Sequence, residues 1–159
     1  VVAYVGTHAF YHGLETLLEA AEILRDRSDI AFLIVGDGPG RQRLIELAQE
    51  RRLANVVFGA SPYAEMARLY SIAYLSVATL KNIEVAKTMR LSKMFPALSC
   101  GVPIVYSGVG ESADLIRQHE IGVTVEPERP ELLARAISAL VDDPARRDSF
   151  RALCSWAHC

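Results

Sequence analysis

Short runs of unbroken apolar residues alternate along this chain with longer segments in which apolar residues recur every three or four positions. Val1 to Gly6, Ile30 to Val35, Asn55 to Phe58, Tyr74 to Ala78, Ile104 to Tyr106 and Gly122 to Val125 are each too short for a helix and too apolar for a half-exposed strand, so they predict six buried strands. Between them, Leu14, Leu17, Leu18, Ala21 and Leu24 fall at helical spacing, as do Leu44, Leu47 and Ala48, and then Met66, Ala67 and Tyr70. Further helices are predicted from Glu111 to Gln118 and from Pro130 to Val141, the latter with Leu133, Ala136, Ile137 and Leu140 on one face, and a last helical stretch follows Asp143-Pro144. From Thr79 to Lys93 no period holds, which predicts an irregular loop of functional length.

Buried strands alternating with amphipathic helices require a parallel sheet covered on both faces. The expected class is therefore α/β, a Rossmann-like doubly wound parallel sheet of about six strands. In such sheets ligands bind beyond the carboxyl ends of the strands. That directs attention to five loops: Gly6 to Gly13, Gly36 to Gly40, Gly59 to Pro62, Thr79 to Lys93 and Ser107 to Ser112.

Composition narrows the range of functions. The chain has 159 residues, 51% of them hydrophobic, enough for one core and too few for two ordinary domains. A net charge of −2 without a dense Lys/Arg block excludes a nucleic-acid partner. Cys100, Cys154 and Cys159 match neither a disulfide framework nor zinc-ligand spacing, so a reducing, cytoplasmic setting is expected and no metal. No apolar run reaches the roughly 18 residues of a membrane span.

Two loops carry glycine patterns. Gly36-Asp37-Gly38-Pro39-Gly40 joins the second strand to a helix. The glycines either let a ligand approach the backbone or simply close the turn, with Asp37 capping N–H groups. Gly108-x-Gly110-x-x-Ala113, with Glu126 further on, has the form of a dinucleotide fingerprint, which would make the chain a fragment of an NAD-dependent oxidoreductase. That fingerprint ordinarily opens its domain, and here only about fifty residues follow it. A phosphoacceptor receiver domain would need acidic residues at the end of the first strand, and "VVAYVGTH" has none.

Four segments, "YVGTHAFYHGLETLLEAAEIL", "FLIVGDGPGRQRLIELA", "VVFGASPYAEMARLYSIAYLSV" and "SKMFPALSCGVPIVYSGVGESADLI", together resemble the C-terminal, nucleotide-sugar-binding domain of glycosyltransferase family 4, a retaining family with the GT-B fold. The resemblance covers almost the whole chain and implies the donor half of an enzyme whose N-terminal acceptor domain is absent from this sequence. It also implies a sugar nucleotide as substrate, with UDP-sugar the expected donor, and no metal or other cofactor. The acceptor, a glycan or a lipid-linked glycan, would be held by the other domain, and the full enzyme would work in the cytoplasm, peripherally at the inner face of the membrane.

The same resemblance assigns candidate donor-binding residues and exposes departures. Gly6, Thr7, His8 and His12 form the first loop, Gly36, Asp37 and Gly38 the second, and Gly110, Glu111 and Ser112 the last. Many relatives carry Arg and Lys in the first loop, where Thr7 and His12 stand here. "GTHAFYHGL" resembles instead a subgroup that acts on lipid-linked acceptors in bacterial polysaccharide assembly. His8 and His12 could then donate to phosphate oxygens, or be ordinary loop histidines. Lys93, at the mouth of a helix, is either the cation facing the diphosphate or a solvated surface lysine. The family's E-x7-E pattern falls on Thr88 and Pro96, so the carboxylate that in relatives accepts the ribose hydroxyls is missing. Pro96 is expected to delay the helix start and extend Phe95. Glu84 and Glu111 are the nearby carboxylates that could substitute. A degenerate, non-catalytic nucleotide-binding or interaction domain is the competing reading.

Overall fold

The computed structural model describes residues 1–60, 65–89 and 91–154. Ser61 and Pro62 of the third candidate loop, and Cys159, lie outside the described residues.

Six parallel strands, β1 (Val2–Val5), β2 (Phe32–Val35), β3 (Val56–Gly59), β4 (Leu75–Thr79), β5 (Ile104–Ser107) and β6 (Gly122–Val125), form one sheet in the order β3-β2-β1-β4-β5-β6. The doubly wound expectation holds. The order reverses between β1 and β4, so the crevice beyond their carboxyl ends is where a ligand is expected to sit.

The central strands are buried on both faces because alternate residues feed different cores. In β1, Val2 and Tyr4 enter a core with Leu14, Leu17 and Leu18 of α1 (Leu14–Ile23), whereas Ala3 and Val5 enter one with Tyr70 of α3 (Met66–Ser71) and Ala97 of α5 (Met94–Ser99). In β5, Val105 joins the first core, with Leu133 and Ile137 of α7 (Pro130–Asp142). Ile104 and Tyr106 join a third, with Ile116 of α6 (Glu111–Gln118). β3 and β6 are the edges and only partly buried, as pairing on one side requires. α2 (Arg41–Glu50) follows β2, and α8 (Pro144–Cys154) ends the described chain.

Two elements differ from expectation within the loops. Phe10–His12 forms one 3-10 turn, and Glu84–Lys87 forms a single helical turn, α4, inside the segment read as irregular. One turn is too short to generate a hydrophobic period. Pro96 does not delay its helix: α5 begins at Met94 with Phe95 already helical. Its ring occupies the first turn, where an N–H would have no intrahelical acceptor, so the missing donor costs little.

Candidate functional site

The glycine-rich loop after β2 is folded against the loop after β1. Gly6 N donates to Val35 O at 2.9 Å, His8 N to Asp37 O at 2.8 Å and Gly40 N to His8 O at 2.9 Å. A Cβ on Gly36 (φ 140°) would overlap the Gly6 carbonyl, and one on Gly38 (φ 146°) would stand 2.9 Å from His8 N. The glycines therefore serve first to let two backbones meet. This close approach lies outside both readings of the loop drawn from sequence. Asp37 does not cap α2, which has no side-chain cap; its Oδ1 accepts from the adjacent Gly38 N at 2.8 Å, within the loop.

The joined loops form one wall of a cavity of about 630 Å³, lined by Gly6, Thr7, His12, Gly36, Asp37 and Lys93, with Val5, Tyr11, Val35, Met66, Met89, Leu91, Ser92 and Pro96. It opens beside the ends of β1 and β2 and the start of α5. Among the described lining residues Asp37 is the only carboxylate and Lys93 the only lysine or arginine.

Lys93 is not a solvated surface lysine. Its Nζ donates to Tyr4 Oη at 2.8 Å, lies 3.1 Å from His12 Nε2 and 3.3 Å from Nδ1, and stands 4.7 Å from the centre of the Tyr4 ring. Tyr4 Oη in turn donates to Thr7 O at 2.7 Å. Among the described residues no carboxylate pairs with Lys93. Burial pushes its ammonium down to about 7. Burial, then the Lys93 charge, then His8, hold His12 down at about 4. His12 is fixed from below: Thr79, buried at the end of β4, donates its hydroxyl to the His12 carbonyl, and the ring lies 4.4 Å from that of Tyr11. The positive charge of the cavity thus comes from a side chain rather than from a helix terminus. Met94 N and Phe95 N already donate to Leu91 O and Ser92 O, and Pro96 has no N–H, so the start of this helix offers none of these three positions as a free donor beside Lys93.

The two histidines of the first loop separate. His12 faces the cavity. His8 is 1% exposed, has no partner on either ring nitrogen among the described residues, and lines a smaller neighbouring cavity with Pro39, Gly40 and Arg43. Burial, followed by the charge of Arg41, lowers its basicity. It has no place on the wall that carries Lys93. Gly38 likewise does not line the cavity and serves to seat His8.

Gly110, Glu111 and Ser112 also lie away from the cavity. A Cβ on Gly110 would overlap the Lys87 carbonyl, so this glycine admits the end of α4. Ser112, fully buried, donates to Met89 O at 3.0 Å and accepts from Leu91 N at 3.0 Å. Its hydroxyl is spent on holding the β4–α5 loop whose Met89 and Leu91 line the cavity, so its role is to position that wall. Glu111 opens α6 in an exposed position. The apparent dinucleotide fingerprint follows β5, one strand beyond the reversal of strand order, and the Lys87 backbone abuts its central glycine, which closes the backbone approach that a dinucleotide reading of this loop requires. Of the proposed substitute carboxylates, Glu84 pairs with Lys87 at 2.7 Å, and neither it nor Glu111 lines the cavity. Thr88 caps α4 through Val85 O, outside the cavity, whereas Pro96 is on its wall.

Reading the sequence missed Tyr4, whose hydroxyl anchors Lys93, and the lining residues Tyr11, Met66 and Met89. Within an apolar strand Tyr4 has the signature of core, and only the folded chain shows that its polar tip ends at the site. Among the described residues no group of three or more His, Cys, Asp or Glu side chains could hold a metal ion, and no helix is long and apolar enough to cross a membrane.

A parallel sheet in this order, with a cavity near its reversal point, defines a doubly wound α/β domain. Comparison with known proteins makes the class specific. The family model of glycosyl transferases group 1 matches residues 1–152, and the chain belongs to this family. It is 30% identical over 151 residues to alpha-D-kanosaminyltransferase of Streptomyces kanamyceticus, covering 93% of this chain and 38% of that protein. Against the D-inositol 3-phosphate glycosyltransferase of Rhodococcus opacus it is 32% identical over 175 aligned positions, covering 99% of this chain and 38% of the relative. The chain therefore spans less than two fifths of the length of these curated relatives. Among solved structures, Alr3699/HepE of Anabaena in complex with UDP and glucose superimposes with a TM-score of 0.81 at 20% identity, over 99% of this chain and 42% of that one. The Rossmann-like fold seen in GT-B glycosyltransferases is thereby shown.

Proposed function

We propose that this chain binds the sugar-nucleotide donor, a UDP-sugar, of a retaining glycosyltransferase of glycan or polysaccharide biosynthesis, with the donor diphosphate against Lys93 and His12. The carrying observation is Lys93 itself: an ammonium held by a phenol and an imidazole, with no described carboxylate beside it, in a cavity at the reversal of strand order. A half-buried cation without a counterion is costly to the free protein, and an anionic ligand lowers that cost. The UDP in the Anabaena structure supports the same ligand class.

In transfer with retention, negative charge grows on the leaving diphosphate as the glycosyl bond breaks. Lys93 would oppose that charge, and His12 would donate a ring N–H to it once an anion restores its basicity. The apolar wall of Val35, Met66 and Pro96 suits the nucleoside. A cytoplasmic location and a lipid-linked acceptor held by another domain go with this reading and rest on the resemblance alone. The second reading, a relative that binds nucleotide without transferring sugar, is favoured by one observation: Pro96 stands on the cavity wall where the family carries its ribose-binding glutamate.

Calorimetric titration with UDP tests the proposal. The wild type should bind, NAD should not, and Lys93→Ala should lose about 1.5 to 3 kcal/mol of UDP binding energy, the range for a hydrogen bond to a charged group. An affinity unchanged by Lys93→Ala would refute the assignment. UDP binding without donor hydrolysis or transfer, even when the chain is joined to an acceptor-binding domain, would favour the second reading.

A further inference from the structure

The missing glutamate raises the question of what reads the ribose. Nucleoside hydroxyls are donors in search of an acceptor, and a carboxylate is the strongest acceptor a side chain can supply. Neither Glu84 nor Glu111 reaches the cavity, and Asp37 is the sole carboxylate among its described lining residues, at the carboxyl end of β2. Building on the donor-site reading above, we infer that Asp37 is the specificity residue for the ribose, its carboxylate accepting from the vicinal hydroxyls in place of the side chain lost at Pro96.

The loop is constructed to hold such a group still. The Asp37 carbonyl is pinned by His8 N at 2.8 Å, and Oδ1 by Gly38 N at 2.8 Å. The flanking glycines are closed against Gly6 and His8, so the backbone cannot slide. No described residue donates to Oδ2. The lining then carries two chemically distinct groups, the Lys93 amine beside His12 and the Asp37 carboxylate. A polyanion alone would be repelled by the second, whereas a nucleoside diphosphate satisfies both. Asp37 acts by binding and takes no part in bond breaking.

The test uses UDP, 2′-deoxyuridine diphosphate and inorganic pyrophosphate, titrated calorimetrically into the wild type, Asp37→Asn and the double variant Asp37→Asn/Pro96→Glu. Asparagine keeps the acceptor for Gly38 N and replaces the charged Oδ2 with a neutral donor, so the loop should hold and the thermal midpoint should stay within a degree or two. The wild type is expected to prefer UDP over its deoxy analogue by about tenfold. Asp37→Asn should remove that preference while leaving pyrophosphate affinity equal or improved, and the double variant should recover it through a carboxylate at position 96 of the cavity lining. A preference that survives Asp37→Asn overturns the inference. So does a loss equal for all three ligands, which marks a disturbance of the whole loop. If the wild type binds neither UDP nor pyrophosphate, the donor-site reading falls first and the inference with it.

Discussion

Replacing Lys93 with methionine should make the free protein more stable and the nucleotide site useless. In the folded chain the ammonium titrates near 7, against 10.5 for an ordinary lysine. At about 1.4 kcal/mol for each tenfold change, that difference caps the cost of holding the charge at about 5 kcal/mol. Water in the open cavity screens part of it, and His12 loses a neighbouring donor, so a net gain of about 1 to 3 kcal/mol is expected. For a chain of this size the gain corresponds to a rise of about 3 to 9 °C in the thermal midpoint. The pH dependence identifies the cause. Between about 7 and 10.5 the unfolded chain holds the Lys93 proton and the folded chain does not. Wild-type stability therefore carries a contribution that is fully present above 10.5 and is lost as the pH falls through about 7. The advantage of Lys93→Met should be largest at pH 7 and shrink towards pH 10, because the variant lacks this titration. Thermal unfolding of both proteins across that range, with and without UDP, measures the effect, and UDP should raise the midpoint of the wild type alone. A lower midpoint for Lys93→Met at pH 7, or a difference independent of pH, would refute the account of Lys93 as a half-buried cation without a carboxylate partner.

Proton linkage should appear in binding as well. Because an anion restores the charge of Lys93 and the basicity of His12, UDP binding at pH 7.5 should take up protons, visible as a calorimetric enthalpy that varies with the ionisation enthalpy of the buffer, and affinity should fall by up to about tenfold per pH unit above 7. Buffer-independent enthalpies would contradict this. In the free protein, stability should decline as the pH drops from 6.5 towards 4, where the unfolded chain binds a proton at His12 and the folded chain does not; His12→Gln should flatten that decline in acid unfolding curves. Gly36→Ala forces a Cβ onto the Gly6 carbonyl and should cost about 2 kcal/mol or more in denaturant unfolding, together with UDP binding; a neutral result would mean the two loops are not joined as described.

The strands were legible as short unbroken apolar runs and the long helices by their period, and β6 and α6 fall at the expected residues. Strand order was not legible, since pairing joins residues such as Val2 and Leu75 that no local pattern connects. The site divides in the same way. Lys93, His12 and Asp37 were visible as residue types in loops after strands, but the contact of Lys93 with His12 spans 81 positions and exists only once β1 and α5 pack together. Ser112 and Gly110 looked like ligand-binding residues because a hydroxyl and a glycine at a strand-to-helix turn serve equally well to hold another loop. His8 and His12 are chemically alike and four residues apart, yet a single 3-10 turn sends them to different cavities.

The central claim, that the Lys93 cavity receives a nucleotide diphosphate, is tested most directly by a crystal structure of the chain with UDP. The account predicts a diphosphate oxygen at about 2.7 to 3.2 Å from Lys93 Nζ, inside the cavity bounded by Gly6 and Gly36. A nucleotide bound elsewhere, with Lys93 still resting on Tyr4 and His12, would contradict it.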